Sequence, residues 1–110
     1  MFIKLDREYE IKTTLGTIRD IEKRFGKGFF ALVQNMSELN TDDIIKLLFV
    51  GAKKAEPQLS EENFIMACDD NIGVGELFEF LEKYLYALQY PGLTDDEVKE
   101  KMEKKLKSNQ

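Results

Sequence analysis

Few residues in this 110-residue chain are of types that do chemistry. Glu22 is the first, in the stretch LGTIRDIEKRFGKG over residues 15–28. On a helical wheel of about 100° per residue, Leu15, Ile18, Ile21 and Phe25 share one apolar stripe, with Glu22 inside it. A carboxylate in such a stripe can act as a general acid or base, but it then needs a second acid, a histidine or a metal beside it. The chain has no histidine and one cysteine. That composition removes the commonest general base and leaves no ligand set for zinc. Cys68 permits no internal disulfide, and its setting in NFIMACDD predicts a buried, inert thiol.

The remaining motifs fail on spacing. GKGFF lacks the Gly-x-x-x-x-Gly-Lys-Ser/Thr pattern of a phosphate loop, and GVGELF holds two of the three glycines of a dinucleotide loop. DDNIGVGELFEF opens like a calcium loop at Asp69 and Asn71, then places Val74 where glycine is required and Phe80 where a bidentate glutamate is required. Asp42 with Asp43 and Asp95 with Asp96 fall at helix starts, where negative charge favours the helix dipole. No catalytic residue, cofactor or metal is expected, and an enzyme is not the reading. Glu22 is expected instead to tie its helix to a neighbouring N-terminus, with free backbone N–H groups at Gly28 or Thr41 and Arg19 or Lys53 as alternative partners. Gly26 would stop the helix and Gly28 would turn the chain into the next one.

Charge narrows the partners. The formal net charge is −5, unevenly spread: residues 1–28 carry seven Lys/Arg against five Asp/Glu, residues 29–97 carry four against fourteen, and residues 98–110 carry five against two. Phosphate binding needs clustered cations, so the acidic middle argues against nucleic acid and for protein partners. No apolar run approaches the roughly 20 residues that span a bilayer. MFIKLDREYE lacks the apolar core of a signal peptide, so a cytoplasmic location without membrane contact is the expectation.

The positioning elements follow from periodicity. MFIKLDREYEIKTT alternates at period two through Ile3, Leu5, Tyr9 and Ile11, with Asp6-Arg7-Glu8 as a polar tip, and predicts a β-hairpin. A helix then starts after Thr13 or Thr14, and a short one covers 29–36. A third opens with Thr41 as N-cap and is apolar on nearly all sides, so it belongs at the centre. Gly51 falls on its inner side, where it would let a neighbouring helix come close. Ser60 caps a fourth helix, NIGVG turns, and the fifth runs 76–90. On its charged face Tyr86 and Tyr90 sit four residues apart. Thr94 and Glu97 are spaced as a capping box for a basic helix whose thin stripe is Val98, Met102 and Leu106. The fold class is therefore mainly α: a short N-terminal β-hairpin, a compact bundle of about five helices forming one domain over 1–93, and a basic C-terminal helix over 94–110.

This order of features, carried by TLGTIRDIEKRFGKGFFALVQNM, IIKLLFVGAKKAEPQLSEENF and NIGVGELFEFLEKYLYAL, resembles the small tail assembly chaperones of long-tailed phages and gene transfer agents over about residues 1–90. The resemblance implies a virion-assembly factor that binds the tape measure protein and recruits tail tube subunits, with self-association left open. A neck or connector protein, another minor tail component or a small helical interaction module is the alternative. A chaperone must display apolar surface. Tyr86 and Tyr90 are the first candidates, Phe29 and Phe30 the second, and Val98, Met102 and Leu106 the third; Glu22, Gly26, Gly28 and Gly51 are structural.

Overall fold

The computed structural model describes residues 1–90 together with 96, 97 and 100. Strands β1 (Phe2–Lys4) and β2 (Glu8–Glu10) form an antiparallel hairpin in which Phe2 faces Glu10, Ile3 faces Tyr9 and Lys4 faces Glu8. Within residues 1–90 five α-helices follow: α1 (Leu15–Phe25), α2 (Phe29–Gln34), α3 (Thr41–Ala55), α4 (Glu61–Asn71) and α5 (Val74–Gln89), with a 3-10 turn at Met36–Glu38. The mainly helical, hairpin-led architecture agrees with the reading from sequence. Among the described residues, no helix is long and apolar enough to cross a membrane.

Local side chains set the helix ends. The Thr14 hydroxyl accepts the Thr17 N–H at 3.2 Å, and Gly26 ends α1 in the left-handed region at φ 65°, where a side chain would be strained. Ser60 accepts Asn63 N–H at 3.1 Å to open α4. Three ends differ from expectation. Asn40, not Thr41, caps α3, because its side-chain amide oxygen Oδ1 accepts Asp43 N–H at 2.8 Å while the Asp43 carboxylate takes Asn40 N–H in return. The short α2 stops at Gln34 rather than 36, where the chain tightens into the 3-10 turn. Helix α5 starts at Val74, with Gly73 as its cap, and α4 runs to Asn71, so only Ile72 and Gly73 of NIGVG lie between helices.

Helix α3 is the axle of the core, packing against β2, α1, α4 and α5. Ile44, Ile45, Leu47, Leu48, Phe49, Val50 and Ala52 are all buried on it. Each large aliphatic or aromatic side chain removed from water contributes about 1.5–3 kcal/mol, so its burial supplies a large share of the driving force. Around it one contiguous cluster takes in Ile3, Tyr9 and Ile11 from the hairpin and Leu81, Tyr84 and Leu85 from α5.

Gly51 shows how closely these parts approach. A Cβ there would stand 2.6 Å from Ile11 Cγ2, 2.8 Å from the Tyr84 hydroxyl and 3.1 Å from the Lys12 carbonyl oxygen. The close neighbours are thus the hairpin's exit strand and one phenol, rather than a second helix backbone. Lys12 N–H donates to the Gly51 carbonyl at 3.0 Å, and the buried Tyr84 hydroxyl donates to the Leu47 carbonyl at 3.0 Å. Burial pushes the Tyr84 phenol well above its ordinary pKa, so it stays a neutral donor.

Gly51→Ala tests this approach. Alanine would gain about 1 kcal/mol of helix propensity, but overpacking against a backbone carbonyl and a locked side chain costs about 1–3 kcal/mol. A net loss is expected in chemical denaturation. Tyr84→Phe alone should cost about 1 kcal/mol by leaving a core bond unmade. Combined with Gly51→Ala it should cost less than the two added, since removing the hydroxyl opens room for the new methyl.

Candidate functional site

Helix α1 lies rotated from its expected setting. Thr17 and Ile21 are fully buried, Ile18 and Phe25 are half-buried, and Leu15 is 75% exposed. Thr17 turns inward because its hydroxyl donates to the Lys12 carbonyl at 2.9 Å, which satisfies a polar group that would otherwise be costly to bury. The apolar face is therefore centred on Thr17 and Ile21, and Leu15 is a surface residue, not part of the stripe. Glu22 correspondingly sits at the border of the buried face, half-exposed.

From that border the Glu22 carboxylate accepts the Phe29 backbone N–H at 2.9 Å. Gly28 is the N-cap of α2 and has no side chain to cap with, so Glu22 supplies the acceptor from seven residues upstream. The N-terminus it reaches is thus the one after Gly28 and not the one at Thr41, and neither Arg19 nor Lys53 takes part. Gly26, Lys27 and Gly28 make the link short enough for the reach.

This bond fixes how α2 presents its two phenylalanines. Adjacent helical residues point about 100° apart, and Phe29 is 4% exposed while Phe30 is 70% exposed. The rings meet edge-to-face at a centroid distance of 5.6 Å. Phe29 is a core residue, which corrects its assignment as a partner-binding candidate, whereas Phe30 is displayed. Tyr86 is half-buried and Tyr90 is 45% exposed; their rings lie 5.4 Å apart at 39°. Val98, Met102 and Leu106 lie outside the described residues. Sequence reasoning missed the exposure of Leu15, Phe2, Met66 and Val74. For Phe2 the signal was present, since it shares the parity of exposed Lys4 in the alternating strand.

Around these residues the surface is polar and tied down. Arg7 makes two bonds to the Glu56 carboxylate at 3.0 and 2.9 Å and its guanidinium stacks 3.9 Å over the Tyr9 ring. Lys54 pairs with Asp20 at 2.9 Å, and Arg24 pairs with Glu61. The donated hydrogen bonds of these cations hold both the Asp20 and Glu61 carboxyls below the usual carboxylate range. A shallow groove of about 390 Å³ between α1 and α3 is walled by Arg24, Lys53 and Lys54 over Phe49. Among the described residues there is no group of three His, Cys, Asp or Glu side chains that could hold a metal. Burial raises the Cys68 thiol to about 12, with the nearby Asp69 charge as a lesser cause. No protein-family model, curated protein or solved structure matches the chain.

Two measurements check these assignments. Glu22→Ala should destabilise by about 1 kcal/mol through loss of the cap, and Glu22→Gln by about half that, because an amide oxygen still accepts but brings no charge to the helix start. Equal losses would mean the charge is what matters. Cys68 should resist alkylation by iodoacetamide at neutral pH in the folded chain and react in denaturant, since both its burial and its raised pKa suppress the thiolate.

Proposed function

We propose that this chain is a non-enzymatic tail assembly chaperone of a long-tailed phage or prophage, working in the host cytoplasm. It would bind the tape measure protein, keep that long helical polypeptide soluble and help recruit tail tube subunits. The observation that carries the reading is Phe30: a large aromatic ring 70% exposed on a helix whose start is pinned by Glu22 and whose inward neighbour Phe29 is locked in the core. A rigid displayed aromatic loses little entropy on binding, which is what makes such side chains effective anchors. The sequence resemblance over residues 1–90 supplies the partner. The acidic middle of the chain suits association with protein rather than nucleic acid.

Tyr90 and the half-buried Tyr86 would extend the contact at the far end of α5. The two tyrosines belong to a longer helix and carry hydroxyls, so they can bond polar groups at the rim of an interface whose centre is apolar.

The test is co-expression with the very long helical reading frame expected beside this gene. The wild-type chain should hold that product in the soluble fraction and co-purify with it. Phe30→Ser should weaken capture about tenfold or more, the loss expected of a central aromatic anchor, with the melting temperature nearly unchanged. Tyr90→Ser should weaken it less. A neighbour that stays soluble without this chain, or capture indifferent to Phe30, would sink the proposal. A stable ring of many subunits in solution would point to a connector instead.

A further inference from the structure

Among the described residues, no third strand pairs with the hairpin. The Met1 amine donates to the Ile11 carbonyl at 3.1 Å and Ile11 N–H donates to the Met1 carbonyl at 2.6 Å, so these two residues form a hydrogen-bonded pair. The register makes Ile3 with Tyr9 the next such pair. Antiparallel ladders alternate, so the N–H and C=O groups of Phe2 and Lys4 point away from β2. Among the described residues the sheet has two strands, which makes β1 an edge strand with two outward donors and two outward acceptors. Beside this edge runs a groove of about 300 Å³, with Phe2 and Lys4 on one bank and Ile72, Glu76, Phe80 and Lys83 on the other. Phe2 is 58% exposed there.

We infer that a second copy of this chain pairs with this edge across a twofold axis. The occupant follows from self-complementarity, which an isologous interface requires. An axis through Ile3 sets Phe2 opposite Lys4 of the second copy and Lys4 opposite its Phe2. Each of these residues has outward backbone groups, so the two pairs exchange four hydrogen bonds. A shift of one residue would instead oppose Ile3, whose groups are already spent on Tyr9, and the ladder could not form.

The α5 bank repeats the pattern. Glu76 and Lys83 flank Phe80 and are seven residues, about 10 Å, apart along the helix, too far to pair with each other. Among the described residues, none of the ion pairs involves Glu76, Glu79 or Lys83. In the inferred dimer the same axis brings the α5 banks of the two grooves toward each other, and the pairing assigned there is Glu76 with Lys83 of the second copy. Charge favours this face over others. Residues 29–97 hold fourteen acids against four bases, so most faces of two copies repel, yet this groove is lined by two acids and two bases. A three-residue strand bearing a lysine pairs weakly by itself, which leaves α5 to decide which strand is accepted.

The full chain is expected to sediment at twice its 12.8 kDa and to dissociate on dilution. Lys4→Pro removes an N–H that the hairpin does not use, and Lys83→Glu sets like charges against each other twice. Each should weaken the dimer about tenfold or more while leaving the helical circular dichroism unchanged. Adding Glu76→Lys to Lys83→Glu restores opposite charges across the axis and should recover the dimer; the rescue is read as association by sedimentation and not as helix stability, because a lysine at 76 also meets Glu79 of its own helix. A monomer at every concentration overturns the inference. So does a dimer that ignores Lys4→Pro and is not rescued by the charge swap. The outcome is independent of the chaperone reading, because neither Phe30 nor the tape measure protein enters it.

Discussion

The bond from Lys12 N–H to the Gly51 carbonyl joins the hairpin to the central helix, and the rest of the molecule is arranged around it. It forms because position 51 has no side chain, so a strand backbone can lie against a helix surface at a distance that a Cβ would forbid. The Lys12 peptide groups are then fixed against α3. The Lys12 carbonyl accepts the Thr17 hydroxyl, which draws Thr17 inward and sets the rotation of α1. With α1 so rotated, Glu22 stands at the edge of the buried face, within reach of the N–H groups that open α2. That contact settles which phenylalanine enters the core and which faces water. A missing methyl at one position is thereby linked, through three hydrogen bonds in sequence, to a displayed aromatic ring.

The same chain of contacts explains which features could be read from the sequence. Helix starts at Thr14 and Ser60 are legible because a cap is satisfied within three residues of itself. The buried sides of α3 and α5 are legible because apolar side chains outnumber every alternative there. The rotation of α1 is not. Thr17 looks polar and Leu15 apolar, and only the Lys12 carbonyl, placed by a contact 39 residues further along at Gly51, reverses their positions. Asn40 and Thr41 are both competent caps, and what selects Asn40 is the reciprocal bond from its own N–H to Asp43. Glu22 was readable as a tie rather than a site because the chain lacks the partners of catalysis; which helix it ties follows from the length of the Gly-Lys-Gly link. Neither the exposed edge of β1 nor the groove beside it leaves any periodic trace.

Electrostatics orders the outside as hydrogen bonds order the inside. Among the described residues, three ion pairs each join separate elements: hairpin tip to the end of α3, α1 to α3, and α1 to α4. Exposed pairs of this kind contribute little each, about 0–1 kcal/mol, so their effect is on orientation more than on stability. Each pair sets one cation against one anion, so the net charge of −5 is unchanged and acids still outnumber bases on the surface, which favours solubility and opposes indiscriminate association.

An acidic surface of this kind makes the exposed apolar residues informative. A chain that repels most proteins, itself included, gains little from an isolated apolar ring unless a partner is shaped to meet it. Phe30 could have been a polar residue at little cost to the fold, because the core at that end is closed by Phe29 and Leu32 and only one ring contact would be lost. Its ring is instead held by an edge-to-face contact on a helix anchored at its first N–H, so it is rigid before any partner arrives. Rigidity of this sort serves binding, since the entropy of ordering the anchor is spent during folding and not again on association. If Phe30 is the anchor proposed above, capping at Glu22 serves binding as well as stability. Removing the cap while leaving Phe30 in place would keep the apolar area and loosen its presentation, and affinity should fall with the cap even though no contact to the partner has been deleted.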